Sequence, residues 1–144
     1  MRPSARMLPL AALAVGLVLT AATPGRAEPA RDAILADLAA QAKAADAGFA
    51  GFSAERGRAL FATRHAGGKP KTPSCATCHT KDPRARGKTR VGKVIEPMAV
   101  SANPSRFTDA RKVAKWFRRN CRSVLGRVCS AREKGDFITF MMSR

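Results

Sequence analysis

The sequence predicts an all-α fold, and three observations carry that prediction. Apolar residues recur at helical spacing in several segments. Helix-starting residues stand at Ser53, at Thr108 and Asp109, and at Ser130, and no strand-rich segment is visible. Residues 1–27 stand apart from this pattern. Arg2 and Arg6 form a basic start, Leu8 to Ala22 is an apolar run, and Gly25-Arg26-Ala27 offers small residues for cleavage. The run is too short for a comfortable membrane span. It predicts a cleaved signal peptide and a periplasmic protein, with an uncleaved anchor as the alternative.

Residues 28–52 read as an N-terminal helix and its connector, with Ile34, Leu35, Leu38 and Ala42 on one face and a break from Gly48 to Phe52. The main domain spans residues 53–144. Ser53 caps a second helix that runs to about His65 and buries Gly57, Leu60 and Phe61. Gly67 to Pro73 is a loop. Asp82 to Arg106 lacks periodicity and holds three Pro and two Gly, and a stretch of this kind in a small domain usually has a function. Thr108 and Asp109 open a third helix that ends near Cys121. Ser130 to Glu133 is a capping box before a last helix with Phe137, Ile138, Phe140, Met141 and Met142. A mature chain from Glu28 to Arg144 has length for one core, not two.

The chemistry concentrates at Cys75-Ala76-Thr77-Cys78-His79. Cys-x-x-Cys-His is the c-type haem attachment signature. One helical turn puts both sulfurs on one face, where they reach the two vinyl groups of one haem, and His79 offers an imidazole to the iron. A thioredoxin-like pair would want a βαβ setting. A zinc site could draw on Cys75, Cys78, Cys121 and Cys129. The adjacent His79 and the export signal favour one covalently bound haem c.

Cys121 and Cys129 are too far apart to bond within one helix, but Gly126 between them can turn the chain. In an oxidising compartment a disulfide is the default for this leftover pair. Losing Arg2, Arg6 and Arg26 lowers the formal charge from +17 to +14. An exported haem protein does not meet nucleic acid, so the charge points to an acidic redox partner or an anionic membrane surface, the alternative being a solvated coat.

The sixth position on the iron has five candidates: Met98, His65, Asn120, Met141 and Met142. Methionine suits an electron carrier. Val113, Trp116, Phe117, Asn120 and Val124 read as one apolar stripe with an amide in its middle, and a buried amide needs a partner. On spacing alone, methionine as a class stands ahead of Asn120.

Several segments together resemble a known family. They include Glu55 to Phe61, Gly67 to Pro70, Pro73 to Thr80, Ile95-Glu96-Pro97 and Arg106 to Asp109. Lys115-Trp116, Arg119-Asn120-Cys121, Gly126-Arg127, Cys129 and Glu133-Lys134 continue the match. The chain resembles the sphaeroides haem protein family, small class I-like monohaem cytochromes c. The resemblance implies haem bound through Cys75, Cys78 and His79, Asn120 as the sixth ligand of the oxidised iron, and a Cys121–Cys129 disulfide beside it. It implies that Asn120 leaves on reduction so that O2 or NO can bind, with Trp116 lining the freed site. Electron-transfer partners would be a dihaem cytochrome c or a membrane cytochrome b. This raises Asn120 above Met98. The other readings are a His/Met carrier using Met98, a gas-binding or sensing haem module and, ranked low, an enzyme reducing a small ligand.

Overall fold

The structure is a computed structural model that describes residues 27–144, so all of the signal assignment except Ala27 lies outside the described residues. Among the described residues five helices follow one another: α1 Ala27–Ala45, α2 Ala54–Ala62, α3 Ala76–His79, α4 Ala110–Val124 and α5 Ala131–Met142. The all-α class holds, with one addition. The irregular stretch before α4 carries a two-residue antiparallel ladder, β1 Gly87–Lys88 with β2 Val94–Ile95, in register Gly87 to Ile95 and Lys88 to Val94. Gly92, at φ +79°, turns the tip. Such a short ladder lacks the alternating run that would announce it in a sequence.

Local signals start the helices where they were expected. The Ser53 hydroxyl accepts from the Arg56 amide, and the Asp109 carboxylate accepts from the Lys112 amide. Ser130 and Glu133 form a complete capping box. Two ends are corrected. α2 stops at Ala62 rather than His65, because Thr63 turns extended and the His65 amide donates to the Pro73 carbonyl at 2.7 Å. α4 runs past Cys121 to Val124, and Gly126, at φ +73°, then reverses the chain.

The core gathers on α5. The Phe137 ring lies 6.1 Å from Phe61, 6.1 Å from Phe107 and 5.5 Å from Phe117, in tilted and edge-on contacts. Ile138 and Met141 are fully buried beside it. α1 joins this core through Leu38 and Ala42, with Ile34 and Leu35 partly covered. α2 crosses α5 closely at Gly57, where a Cβ would fall 2.0 Å from the Asp136 carbonyl oxygen.

Two buried charges tie distant segments together. The Asp136 carboxylate accepts from Arg56 Nε at 2.7 Å, Arg56 Nη2 at 2.8 Å and the Ser53 amide at 2.7 Å, which clamps α2 to α5. The Arg56 guanidinium, hydrogen-bonded to this carboxylate, has its pKa raised. On α1, buried Arg31 donates to the carbonyls of Arg106 at 3.1 Å and Pro104 at 2.6 Å, fixing the chain that leads into α4. Each charge is satisfied across more than seventy residues of sequence.

Candidate haem-binding site

The attachment motif folds as one tight turn. The amides of Cys78 and His79 both donate to the Cys75 carbonyl, at 3.2 and 3.1 Å, and the Thr77 amide donates to the Ser74 carbonyl. Ser74 is buried, and its amide donates to Thr77 Oγ1. The helix ends abruptly at Thr80, whose φ of +62° is unusual for a β-branched residue and directs the chain away immediately after His79.

The hairpin closes against this turn. A Cβ on Gly87 would fall 2.0 Å from the Cys78 carbonyl oxygen and 3.0 Å from the His79 Cα, so β1 approaches the motif's backbone more closely than any side chain permits. On the other side, the Lys69 amide and the Thr72 hydroxyl donate to the Ser123 carbonyl, binding the loop before the motif to the end of α4. The motif is therefore held between a hairpin and α4, although neither contact is local in sequence.

Cys75, Cys78 and His79 line one cleft of about 790 Å³, counting its open mouth, and its far side is formed by α4 and α5. The walls are mostly apolar, including Leu60, Phe117 and Phe137. His79 Nδ1 is buried with no hydrogen-bond partner among the described residues. Burial, with a smaller push from the Arg106 guanidinium, lowers the imidazole pKa to about 4, so His79 is neutral at physiological pH, as an iron ligand must be. Burial also pushes the Cys75 thiol up to about 11. An unpaired imidazole, two free cysteines and an apolar wall on one cleft fit a covalently held porphyrin. They do not fit the four-cysteine zinc alternative. Cys121 and Cys129 are joined to each other with Cα atoms 5.7 Å apart, and no cluster of three metal-binding side chains occurs among the described residues.

The structure separates the five candidates for the sixth position. Asn120 and Met98 line the cleft with His79. His65, Met141 and Met142 do not: the His65 ring bonds the Leu60 carbonyl, Met141 is fully buried in the core, and Met142 is partly exposed at the end of α5. The predicted stripe on α4 is corrected. The buried face is centred on Phe117, Cys121 and Val124. At 3.6 residues per turn, Asn120 lies roughly 65° from that centre and Trp116 roughly 105°. Asn120 thus lies at the rim of the cleft, off the centre of the buried face. Trp116 is 50% exposed and is not part of the lining; Lys115 and Arg119 lie over its ring at 5.7 and 5.2 Å. The sequence pattern missed Ser74 and Gly87, and the Gly in its irregular segment was the one available hint of a close backbone approach.

Known proteins are similar to this chain in sequence and in overall fold. Residues 47–141 match a family model described as a domain of unknown function, DUF1924. The cytochrome c-type protein SHP of Cereibacter sphaeroides is 54% identical over 91 residues, which cover 63% of this chain and 70% of the relative. The structure of oxidised SHP, described as an oxygen-binding cytochrome c, is similar with a TM-score of 0.73 at 46% identity, over 79% of this chain and 96% of that one. The solution structure of cytochrome c'' from Methylophilus methylotrophus, described as giving insight into haem-ligand detachment, has a TM-score of 0.68 at 32% identity, over 79% of this chain and 93% of that one. With the family model, the sequence identity and the overall fold in agreement, the protein belongs to the sphaeroides haem protein family and is a monohaem cytochrome c carrying covalently bound haem c.

Proposed function

We propose that this cytochrome transfers electrons with Asn120 as the sixth ligand of its oxidised iron, and that Asn120 withdraws on reduction so that O2 or NO can enter. The observation that carries the reading is that Asn120 is one of only two candidates lining the cleft with His79. The other, Met98, belongs to the chain leaving the motif. The amides of Met98 and Ala99 both donate to the carbonyl of Pro83, four residues past His79, at 2.8 and 2.9 Å. Asn120 comes from a separate element, α4, immediately before the Cys121–Cys129 bridge.

Bound haem c supplies one-electron chemistry and a site for a diatomic gas. Cys75 and Cys78 tether it, and neutral His79 provides the permanent ligand. The Asn120 amide oxygen is a neutral, hard donor that favours ferric over ferrous iron. Phe117 and Phe137 make the neighbouring wall apolar, which favours a small neutral gas over water. The oxygen binding ascribed to oxidised SHP and the haem-ligand detachment ascribed to cytochrome c'' agree with this reading. Export to the periplasm, a division at residues 28–52 and 53–144, and a dihaem cytochrome c or membrane cytochrome b as redox partner belong to the same proposal.

The second reading, a His/Met carrier, rests on Met98 lining the same cleft. Absorption spectra of ferric and anaerobic ferrous holoprotein separate the two. Asn120→Ala should keep its haem yet open the ferric site to water or azide, while Met98→Leu leaves the ferric spectrum as it was. A ferric spectrum unchanged by Asn120→Ala, together with loss of a methionine–iron charge-transfer band in Met98→Leu, would replace Asn120 with Met98.

A further inference from the structure

We infer that the exposed face of α4, from its basic stripe across Trp116 to Asn120, is the docking surface for an acidic electron-transfer protein. The inference rests on the reading that Asn120 marks the haem rim.

The face is built from one helix. α4 carries Arg111, Lys112, Lys115, Arg118, Arg119 and Arg122, all exposed, and no acidic residue. Among the described residues, only Lys112 of these six has a carboxylate within ion-pair distance, that of Asp109. Four arginines elsewhere are paired: Arg56 with Asp136, Arg86 with Glu96, Arg127 with Glu133 and Arg132 with Asp46. Other cations without a carboxylate partner, Arg58, Arg64 and Arg90 among them, are spread over separate segments, whereas α4 sets five along one helix with no carboxylate between them, and Lys134 of α5 adds another beside Arg111, Lys115 and Arg118 around a shallow depression. A concentrated field of one sign steers a partner of the opposite sign.

Trp116 gives the face its apolar contact. The ring is half exposed and is flanked by Lys115 and Arg119. Trp and Arg are the side chains that most often anchor protein interfaces. The order around the helix matters as much as the composition. Going round α4, Arg119 lies roughly 60° before Trp116 and Asn120 roughly 40° beyond it, at 3.6 residues per turn. Asn120 and Ser123 line the cleft. A protein seated on Trp116 therefore covers the cleft's rim on one side and the cations on the other. That adjacency to the redox centre favours an electron-transfer protein over a lipid surface.

The test uses ferric holoprotein and reduced flavodoxin, an acidic one-electron donor. One electron leaves the flavin hydroquinone, which becomes the semiquinone, and ferric iron becomes ferrous. In stopped-flow measurements the wild-type rate should fall steeply with salt. Lys115→Glu/Arg119→Glu should lower the low-salt rate by about tenfold or more, since charges at an interface act mainly on association. Reduction by ascorbate and the ferric spectrum should not change, which separates docking from the identity of the iron ligand. Lys43→Glu/Arg58→Glu makes the same change in net charge at exposed sites on α1 and α2 and should keep the rate within about twofold. Equal slowing by the two double variants would overturn the inference, leaving only net charge. A face reversal that abolishes binding to vesicles of phosphatidylglycerol and phosphatidylcholine in equal parts, with the flavodoxin rate unchanged, would assign the face to a membrane and overturn it too. A wild-type dimer dissolved by the reversal, again with an unchanged rate, would assign the face to a second copy.

Discussion

Breaking the Cys121–Cys129 bridge should cost the folded protein a share of stability that can be worked out from its loop. The bridge joins residues eight apart in sequence, one at the end of α4 and one just before α5. In the chain-entropy description, a loop of that length removes about 8 cal/mol/K from the unfolded ensemble, or roughly 2.5 kcal/mol at 25 °C. Unfolding entropies near 2.1 cal/mol/K per residue then convert this, over the described chain, into a fall in Tm of about 10 °C. Cys121→Ala/Cys129→Ala holoprotein, melted alongside wild type by circular dichroism, gives the number. Both cysteines are buried, so lost packing must be separated from lost cross-linking. The single variants do this: each one already abolishes the bridge, so each should cost nearly as much as the pair, whereas packing losses from two sites would add. Two singles that sum to the double, or a total fall in Tm below about 3 °C, would refute the cross-link as the source. The ferric spectrum is a second readout. Asn120 immediately precedes Cys121, so under the proposed Asn120 ligation freeing the last turn of α4 should broaden or shift the ferric spectrum.

Three other outcomes follow from the same geometry. Gly87→Ala places a Cβ 2.0 Å from the Cys78 carbonyl and should push the hairpin off the attachment turn, lowering the yield of haem-bearing protein and costing on the order of 2 kcal/mol. Gly92→Ala meets nothing within 4 Å at φ +79°, so it should cost only about 1–2 kcal/mol of backbone strain and leave haem yield intact. In the capping box, the Arg127 guanidinium, hydrogen-bonded to Glu133, holds that carboxyl below its usual range, helped by the Ser130 amide. A depressed folded pKa gives stability that is present above the unfolded value and lost as pH falls through the folded one. Glu133→Gln should therefore flatten that part of the acid limb in denaturant titrations from neutral pH downward. The pair is partly exposed, so its share is under about 1 kcal/mol, and an acid limb identical to wild type would remove Glu133 as its source.

What could be read from the sequence was local. Ser53, Asp109 and Ser130 were legible as helix starts because a cap acts on an amide two or three residues away. Cys75, Cys78 and His79 were legible because their chemistry fits inside a single turn. The ends of elements were less so. Where α2 stops depends on His65 pairing with Pro73, and where α4 stops depends on a reversal at Gly126, and neither leaves a periodic trace. Arg31 and Asp136 carry no mark of burial in the sequence, since their partners lie 73 to 83 residues away.

The class of helices, the covalent haem and the short list of side chains able to face the iron can all be read from the residues in order. Which of them reach the cleft depends on how the helices pack. That packing kept Asn120 and Met98, withdrew His65, Met141 and Met142, and turned Trp116 outward into the basic face of α4. Rotational phase accounts for the difference. A helix's sequence gives the angles between its own side chains, but packing against Phe137 and its neighbours on α5 sets which angle points inward. A shift of one residue in that phase is about 100°, enough to exchange the roles of Trp116 and Phe117.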